Sequence, residues 1–319
     1  MSVAIIGAGA IGGLLGAYLS RSGEEVILIA RGPHLAAMRS RGVSVRGGGE
    51  EFTARPDCTD DMGAISRAEF VFLTLKAHSI PAVAENIGTN LSDNACIVGA
   101  QNGIPWWYFE DRHLESVDPS GVIARNIPYR KVVGCIAYPA AQVVEPGVIE
   151  HLEGNRFTLG EPDGSRSERV QAISSMLVKA GLKAPVQTRI RNEIWLKLLG
   201  NATLNPLSAL TRASLADLVT SPTTRDLVQT LMEEVEAVAR ALGVEVPLTI
   251  EKRMAGAAAT GQHKTSMLQD LEAGRPLEVD ALVGAVVELA GDAGVPVPVL
   301  SVVYRLVKLL NASTRAGAT

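Results

Sequence analysis

The stretch from Val3 to Arg31 constrains the fold of this chain more than any other. A short apolar run, Val3-Ala4-Ile5-Ile6, enters Gly7-Ala8-Gly9-Ala10-Ile11-Gly12. A helical pattern (Leu14, Leu15, Ala17, Tyr18, Leu19) follows and breaks at Gly23. A second apolar run, Val26-Ile27-Leu28-Ile29, then delivers Ala30-Arg31. Strand, glycine turn, helix and second strand at this spacing predict a dinucleotide-binding unit. Gly7 permits the tight turn, Gly9 admits the pyrophosphate to the backbone, and Gly12 lets helix and strand pack closely. Ala8, Ala10 and Ile11 complete the loop, whose helix N-terminus offers unpaired N–H groups and a partial positive charge to phosphates.

The end of the second strand carries the cofactor choice. An acidic residue there would bind a ribose 2′-hydroxyl, whereas this chain presents Arg31. A guanidinium fork suits a 2′-phosphate, so the cofactor is read as NADPH/NADP⁺. The alternative is a solvated surface arginine.

Composition limits the rest. With 319 residues the chain is long enough for two domains, and 47% hydrophobic with 20% charged residues is the balance of a globular protein. A formal net charge of −4 favours neither nucleic acid nor an anionic membrane surface, and 4% aromatic residues leave little for base stacking. Cys58, Cys96 and Cys135 lack CxxC spacing, and the five histidines form no ligand cluster, so neither a disulfide framework nor a metal site is expected. Met1-Ser2 leads directly into the first strand, and the apolar run at 281–290 is short and interrupted by Glu288. The cytoplasm is the expected location. The oligomeric state stays open, a homodimer among the options.

Strand and helix patterns alternate onward. Phe70 to Leu75 is a buried strand with Lys76 at its exit, and Ala95 to Ala100 is another, ending in Gln101-Asn102-Gly103. This alternation predicts a doubly wound parallel sheet, which binds ligands outside the carboxyl ends of its strands. The loop, Arg31, Lys76 and Asn102 all fall on that edge. Gly134 to Ala137 reads as a strand, and 147–152 with 156–159 read as a hairpin at the sheet margin. Beyond Arg189 only helical patterns remain, with Ser221-Pro222 opening one of them. The expectation is an α/β fold: a Rossmann-like domain over 1–188 and an all-helical domain over 189–319.

The helical half opens with Asn192 to Pro206. Leucines, Ile194 and Trp195 cover nearly every side of this helix, while Lys197, Asn201 and Asn205 recur at i, i+4 and i+8. An apolar wall disfavours a charged ammonium, the condition under which lysine becomes a proton donor to a developing alkoxide. The other reading is that Lys197 snorkels to the surface and the asparagines cap the helix. Ser266-Met267-Leu268-Gln269 reads as a capping box or as a polar site, and Glu278 sits ahead of a helix starting near Asp280. His78, His113 and the pair Asp60-Asp61 are weaker candidates, the last pair a solvated loop.

Taken together, GAGAIG at 7–12, Arg31, TLKA at 74–77, QNG at 101–103, EIWLKLLGNATLNPLSAL at 193–210 and SMLQD at 266–270 followed by Glu278 resemble the ketopantoate reductases. The resemblance implies NADPH-dependent reduction of 2-dehydropantoate, a small 2-oxo acid, to (R)-pantoate. It implies that Gly7, Gly9 and Gly12 hold the pyrophosphate and that Arg31 holds the 2′-phosphate. Lys76 and Asn102 would lie against the cofactor, Asn102 also near the carbonyl. Lys197 would be the general acid, with Asn201 and Asn205 positioning the substrate. Ser266 would take its carboxylate, and Glu278 its hydroxyl or the lysine. Some family members carry an asparagine where this chain has Leu215, and the aromatic run Ile104 to Phe109 suggests either a loop over the site or packing. A related reductase or dehydrogenase of another 2-oxo or 3-hydroxy acid, or an NADP(H)-sensing protein without catalysis, would share most of these features.

Overall fold

In the computed structural model, which describes residues 1–316, contacts divide the chain into two units. The first comprises Met1–Gln101, Trp106–His113 and Ser120–Ile190; Asn102–Pro105 and Leu114–Pro119 group with Arg191 onward in the second. Those two short segments leave the first unit in the middle of its sequence, which no linear boundary anticipates.

In the first unit, β1 (Ser2–Ile6), α1 (Ala10–Arg21), β2 (Glu25–Ile29), α2 (Gly32–Arg41), β3 (Val43–Gly47), β4 (Glu50–Ala54) and β5 (Asp57–Thr59) come first. They are followed by β6 (Phe70–Leu73), α3 (Ala84–Asn90), β7 (Cys96–Gly99), α4 (Val122–Asn126), β8 (Val132–Ala137), β9 (Ala140–Glu145), β10 (Val148–Glu153), β11 (Phe157–Gly160) and α5 (Glu168–Lys179). The main sheet has seven strands in the order β11-β8-β7-β6-β1-β2-β5, all parallel except β11, which runs antiparallel to β8. The chain reverses direction around β1, so the β1–α1 turn lies at the switch point where open α/β sheets bind ligands. Val3, Ile5, Phe72 and Val98 are buried, as the unbroken apolar runs require of strands covered on both faces.

The hairpin expected over 147–159 does not form. Instead, β10 pairs parallel with β3 and antiparallel with β9 in a separate four-stranded sheet, β4-β3-β10-β9, while β11 joins the main sheet. The polar trio Glu153-Gly154-Asn155 therefore bridges two sheets. Tyr18 of α1 ties the small sheet down, its hydroxyl donating to Glu50 at 2.6 Å while Arg21 pairs with the same carboxylate.

The second unit is helical: α6 (Ile190–Asn201), α7 (Leu204–Thr211), α8 (Leu215–Thr220), α9 (Arg225–Ala241), α10 (Ile250–Ala259), α11 (Ser266–Glu272), α12 (Ala285–Ala293) and α13 (Pro298–Ala316). Val228, Leu231, Met232, Val235 and Val238 recur at helical spacing on α9 and are fully buried. Each such side chain contributes about 1.5–3 kcal/mol of transfer free energy. Two boundaries differ from expectation. The helix predicted to open at Ser221-Pro222 begins at Arg225, because the Ser221 carbonyl closes a turn on Thr224 and Arg225 first. A short helix, α8, is set by a capping box between Ser214 and Asp217 that the sequence carries as S-L-A-D.

Candidate active site

The glycine loop is closely packed at two of its three glycines. Gly7 has φ +100°, which only glycine adopts cheaply, and a Cβ there would stand 2.9 Å from the Leu75 nitrogen. A Cβ on Gly12 would overlap the Gly7 carbonyl and the Thr74 hydroxyl. A Cβ on Gly9 would meet nothing of the protein within 4 Å, so packing within the protein does not itself require glycine there. The amides of Gly7 and Ala8 bond the Ile29 carbonyl at 3.1 and 3.2 Å, joining the loop to the end of β2. Thr74, just beyond β6, donates to the Gly7 carbonyl at 2.8 Å. The T of TLKA at 74–77 is the sequence signal for this contact. Ala10, Ile11 and Gly12 open α1, whose first turn carries no acidic residue to compete for an anion.

Arg31 is exposed at the N-cap of α2, two residues beyond β2. His34, one turn later, accepts the Gly147 amide at 3.1 Å, and burial holds its imidazole below the usual range. It sits in the same turn as Arg31. Lys76 is half-buried and precedes the short turn Ala77–Ser79. His78 and His113 are exposed; Asp60 pairs with Arg39 and Asp61 caps the turn at Gly63.

In the second unit the lysine is the centre. Lys197 is half-buried on α6, among fully buried Trp195, Leu198 and Leu199, so the helix is apolar on most sides but not all. Its Nζ donates to Asn102 Oδ1 at 2.7 Å. Thus the asparagine that follows β7 and the lysine of the helical half, 95 residues apart, meet within one unit.

Asn102 is itself anchored. A Cβ on Gly103 (φ +84°) would overlap the Ala281 carbonyl, and the Ile104 amide donates to that carbonyl at 3.0 Å. This carbonyl is available because residues Asp280–Gly284 form a π turn in which the Ala285 amide reaches back to Asp280. Single π turns of this kind recur at functional sites. Glu278, half-buried, lies two residues before the turn. Its neighbours are held by α13: Asn311 accepts the Leu277 amide at 2.9 Å, and Tyr304 and Lys308 both donate to Asp280. The Asp280 carboxylate pushes both the Tyr304 and the Lys308 pKa upward, Tyr304 chiefly through burial.

The i, i+4, i+8 row is interrupted. α6 ends at Asn201, and α7 begins after Ala202-Thr203 because Pro206 has no N–H to continue the ladder and its ring crowds the carbonyl four residues back. Asn205 falls in the first turn of α7, buried, with Nδ2 3.4 Å from Ser266 Oγ. The capping reading of Ser266 does not hold either. Thr265 is the N-cap of α11, accepting the Leu268 amide, and Ser266 is one residue inside, exposed, with its hydroxyl on Asn205. Leu215 opens α8 and donates its amide to the His263 carbonyl. The aromatic run packs on its own sheet: Trp106, Trp107 and Tyr108 are buried, and the Trp107 indole lies over Gly99 and Gly134.

A parallel sheet carrying a glycine loop at its switch point, joined to an all-helical unit built around a lysine, defines a nucleotide-dependent oxidoreductase of Rossmann type. The chain belongs to the ketopantoate reductase PanE/ApbA family: the family model matches residues 3–164, and its C-terminal counterpart matches residues 189–311. It is 45% identical to a 2-dehydropantoate 2-reductase of Mesorhizobium japonicum over 97% of this chain and 98% of that protein. Among solved structures, a PanE/ApbA family ketopantoate reductase from Ralstonia eutropha JMP134 superposes with a TM-score of 0.87 at 27% identity, covering 99% and 100% of the two chains. The 2-dehydropantoate 2-reductase of Methylococcus capsulatus gives 0.82 at 29% identity, covering 98% of each.

Proposed function

We propose that this chain reduces 2-dehydropantoate to (R)-pantoate with NADPH. The observation that carries the reading is the Lys197–Asn102 hydrogen bond on a helix that buries Ile194, Trp195, Leu198 and Leu199. The loop of Gly7 to Gly12 would hold the pyrophosphate and Arg31 the 2′-phosphate, with Lys76 and Asn102 also against the cofactor. NADPH supplies the hydride that the ketone carbon receives.

The chain's own part is to hold the 2-oxo acid and deliver one proton. Lys197 donates that proton to the carbonyl oxygen as negative charge builds there, and is reprotonated from solvent. Asn102 keeps the amine aimed, so the donor does not lose time to other rotamers. Asn201, Asn205 and Ser266 bind the substrate, and Glu278 takes its hydroxyl or the lysine. A positioned general acid contributes on the order of 10²–10⁴-fold.

The test is a panel of 2-oxo acids with NADPH or NADH, followed by cofactor absorbance. 2-Dehydropantoate with NADPH should have the highest kcat/KM; a higher value for another acid would reassign the substrate. No turnover of any acid, despite cofactor binding, would point to a sensor. The exposed residues Val302, Leu306 and Leu309 along α13 favour a homodimer. Light scattering of the purified chain at the monomer mass would contradict the dimer.

A further inference from the structure

Glycine is the poorest helix former after proline, yet Gly200 lies inside α6 at an ordinary helical φ, fully buried. No turn or backbone reversal requires it there. The reason is a neighbour: a Cβ at this position would stand 2.7 Å from Cζ and 2.8 Å from Nε of Arg253, and would overlap Nη2. Arg253 comes from the first turn of α10 and is half-buried, its Nε enclosed. The missing side chain of Gly200 is therefore the seat of a guanidinium.

That seat is placed with respect to the proton donor. Gly200 is three residues after Lys197, so the two are neighbours one turn apart on α6, while Asn201 lies about a quarter-turn round the helix from Gly200. We infer that Arg253 binds the carboxylate of the 2-oxo acid, an inference that rests on the reductase activity proposed above. In a 2-oxo acid the carboxylate is bonded directly to the ketone carbon. A donor to the ketone oxygen and a cation for the carboxylate must then lie within one helical turn of each other. Lys197 and the Gly200 seat meet that requirement. The planar guanidinium matches a carboxylate through two parallel N–H bonds, which a lysine cannot offer. Ser266, on Asn205 at the start of α7, remains available to the same carboxylate.

The experiment compares 2-dehydropantoate with its neutral methyl ester in the full-length enzyme. Wild type is measured first: if it reduces no 2-oxo acid, the activity itself is refuted and this inference with it. Given wild-type turnover, Arg253→Met should lower the acid-to-ester ratio of kcat/KM by ~10–100-fold, the loss of a charge-assisted pair. The loss should appear in KM for the acid, with kcat and KM for NADPH held. Arg253→Lys should recover part of the ratio. Gly200→Ala, which displaces the guanidinium without removing it, should act in the same direction and covers the case in which the methionine variant does not fold. An unchanged ratio in Arg253→Met and Gly200→Ala, or an equal loss for acid and ester, would overturn the assignment.

Discussion

The two units prepare their candidate sites by opposite means. In the first, backbone does the work: amides, carbonyls and absent side chains at Gly7, Gly9 and Gly12, with Thr74 pinning the loop. In the second, side chains from separate segments converge, Asn102 on Lys197 and Ser266 on Asn205, with Glu278 held beside a π turn. A backbone site discriminates by shape and tolerates most changes except an added Cβ. A side-chain site places specific chemistry and fails when one group is lost.

The contrast predicts a graded series. Replacing Lys197 by alanine should lower kcat by ~10³-fold, within the range for a lost general acid, while NADPH binding measured by fluorescence is unchanged. Equal loss of binding would mean the two units do not divide the work this way. Arg31→Asp should weaken NADPH by ~10–100-fold, the scale of charge-assisted bonds to a phosphate, and leave NADH within a few-fold. Equal weakening of both would remove Arg31 from cofactor choice.

Adjacent residues 265 and 266 separate structure from function most finely. Ser266→Ala should raise KM for the keto acid by ~10-fold with thermal stability unchanged, since its hydroxyl caps nothing. Thr265→Ala should instead lower stability by about 1 kcal/mol, the usual cost of a lost N-cap, with a much smaller effect on KM. The smallest effect belongs to a purely structural pair in the first unit. Hydrogen bonds from Lys179 and the Met1 ammonium hold the buried Glu24 carboxyl below its usual range. A lowered carboxylate pKa gives stability that is present above the unfolded value and is lost as pH falls through the folded one. Glu24→Gln should therefore cost roughly 1 kcal/mol or less at pH 7, and the gap to wild type should close in acid denaturation scans.

Legibility follows the same division. The glycine loop could be read because each glycine answers to atoms of its own stretch or of the adjoining strand end. The second sheet could not: β3 and β10 pair across about a hundred residues, and such pairing leaves no local trace, so β10 was read with β11, its neighbour in sequence. The cap at α11 was misplaced by one residue because Thr265 and Ser266 both make good caps, and only the Leu268 amide decides between them. The i+8 row failed at Pro206, whose helix-breaking role was visible in the sequence. Arg253 was passed over since nothing near it is unusual; its sign lay elsewhere, in a glycine inside a buried helix. Lys197 stands out in the sequence, but its contact with Asn102 is visible only in the fold.

The most direct trial of the proton-donor role is chemical rescue of Lys197→Ala with small primary alkylammonium ions, at saturating NADPH and 2-dehydropantoate. Turnover should be nearly absent without the amine and should climb with its concentration. A variant that reduces the keto acid at the wild-type rate with no amine present would contradict it.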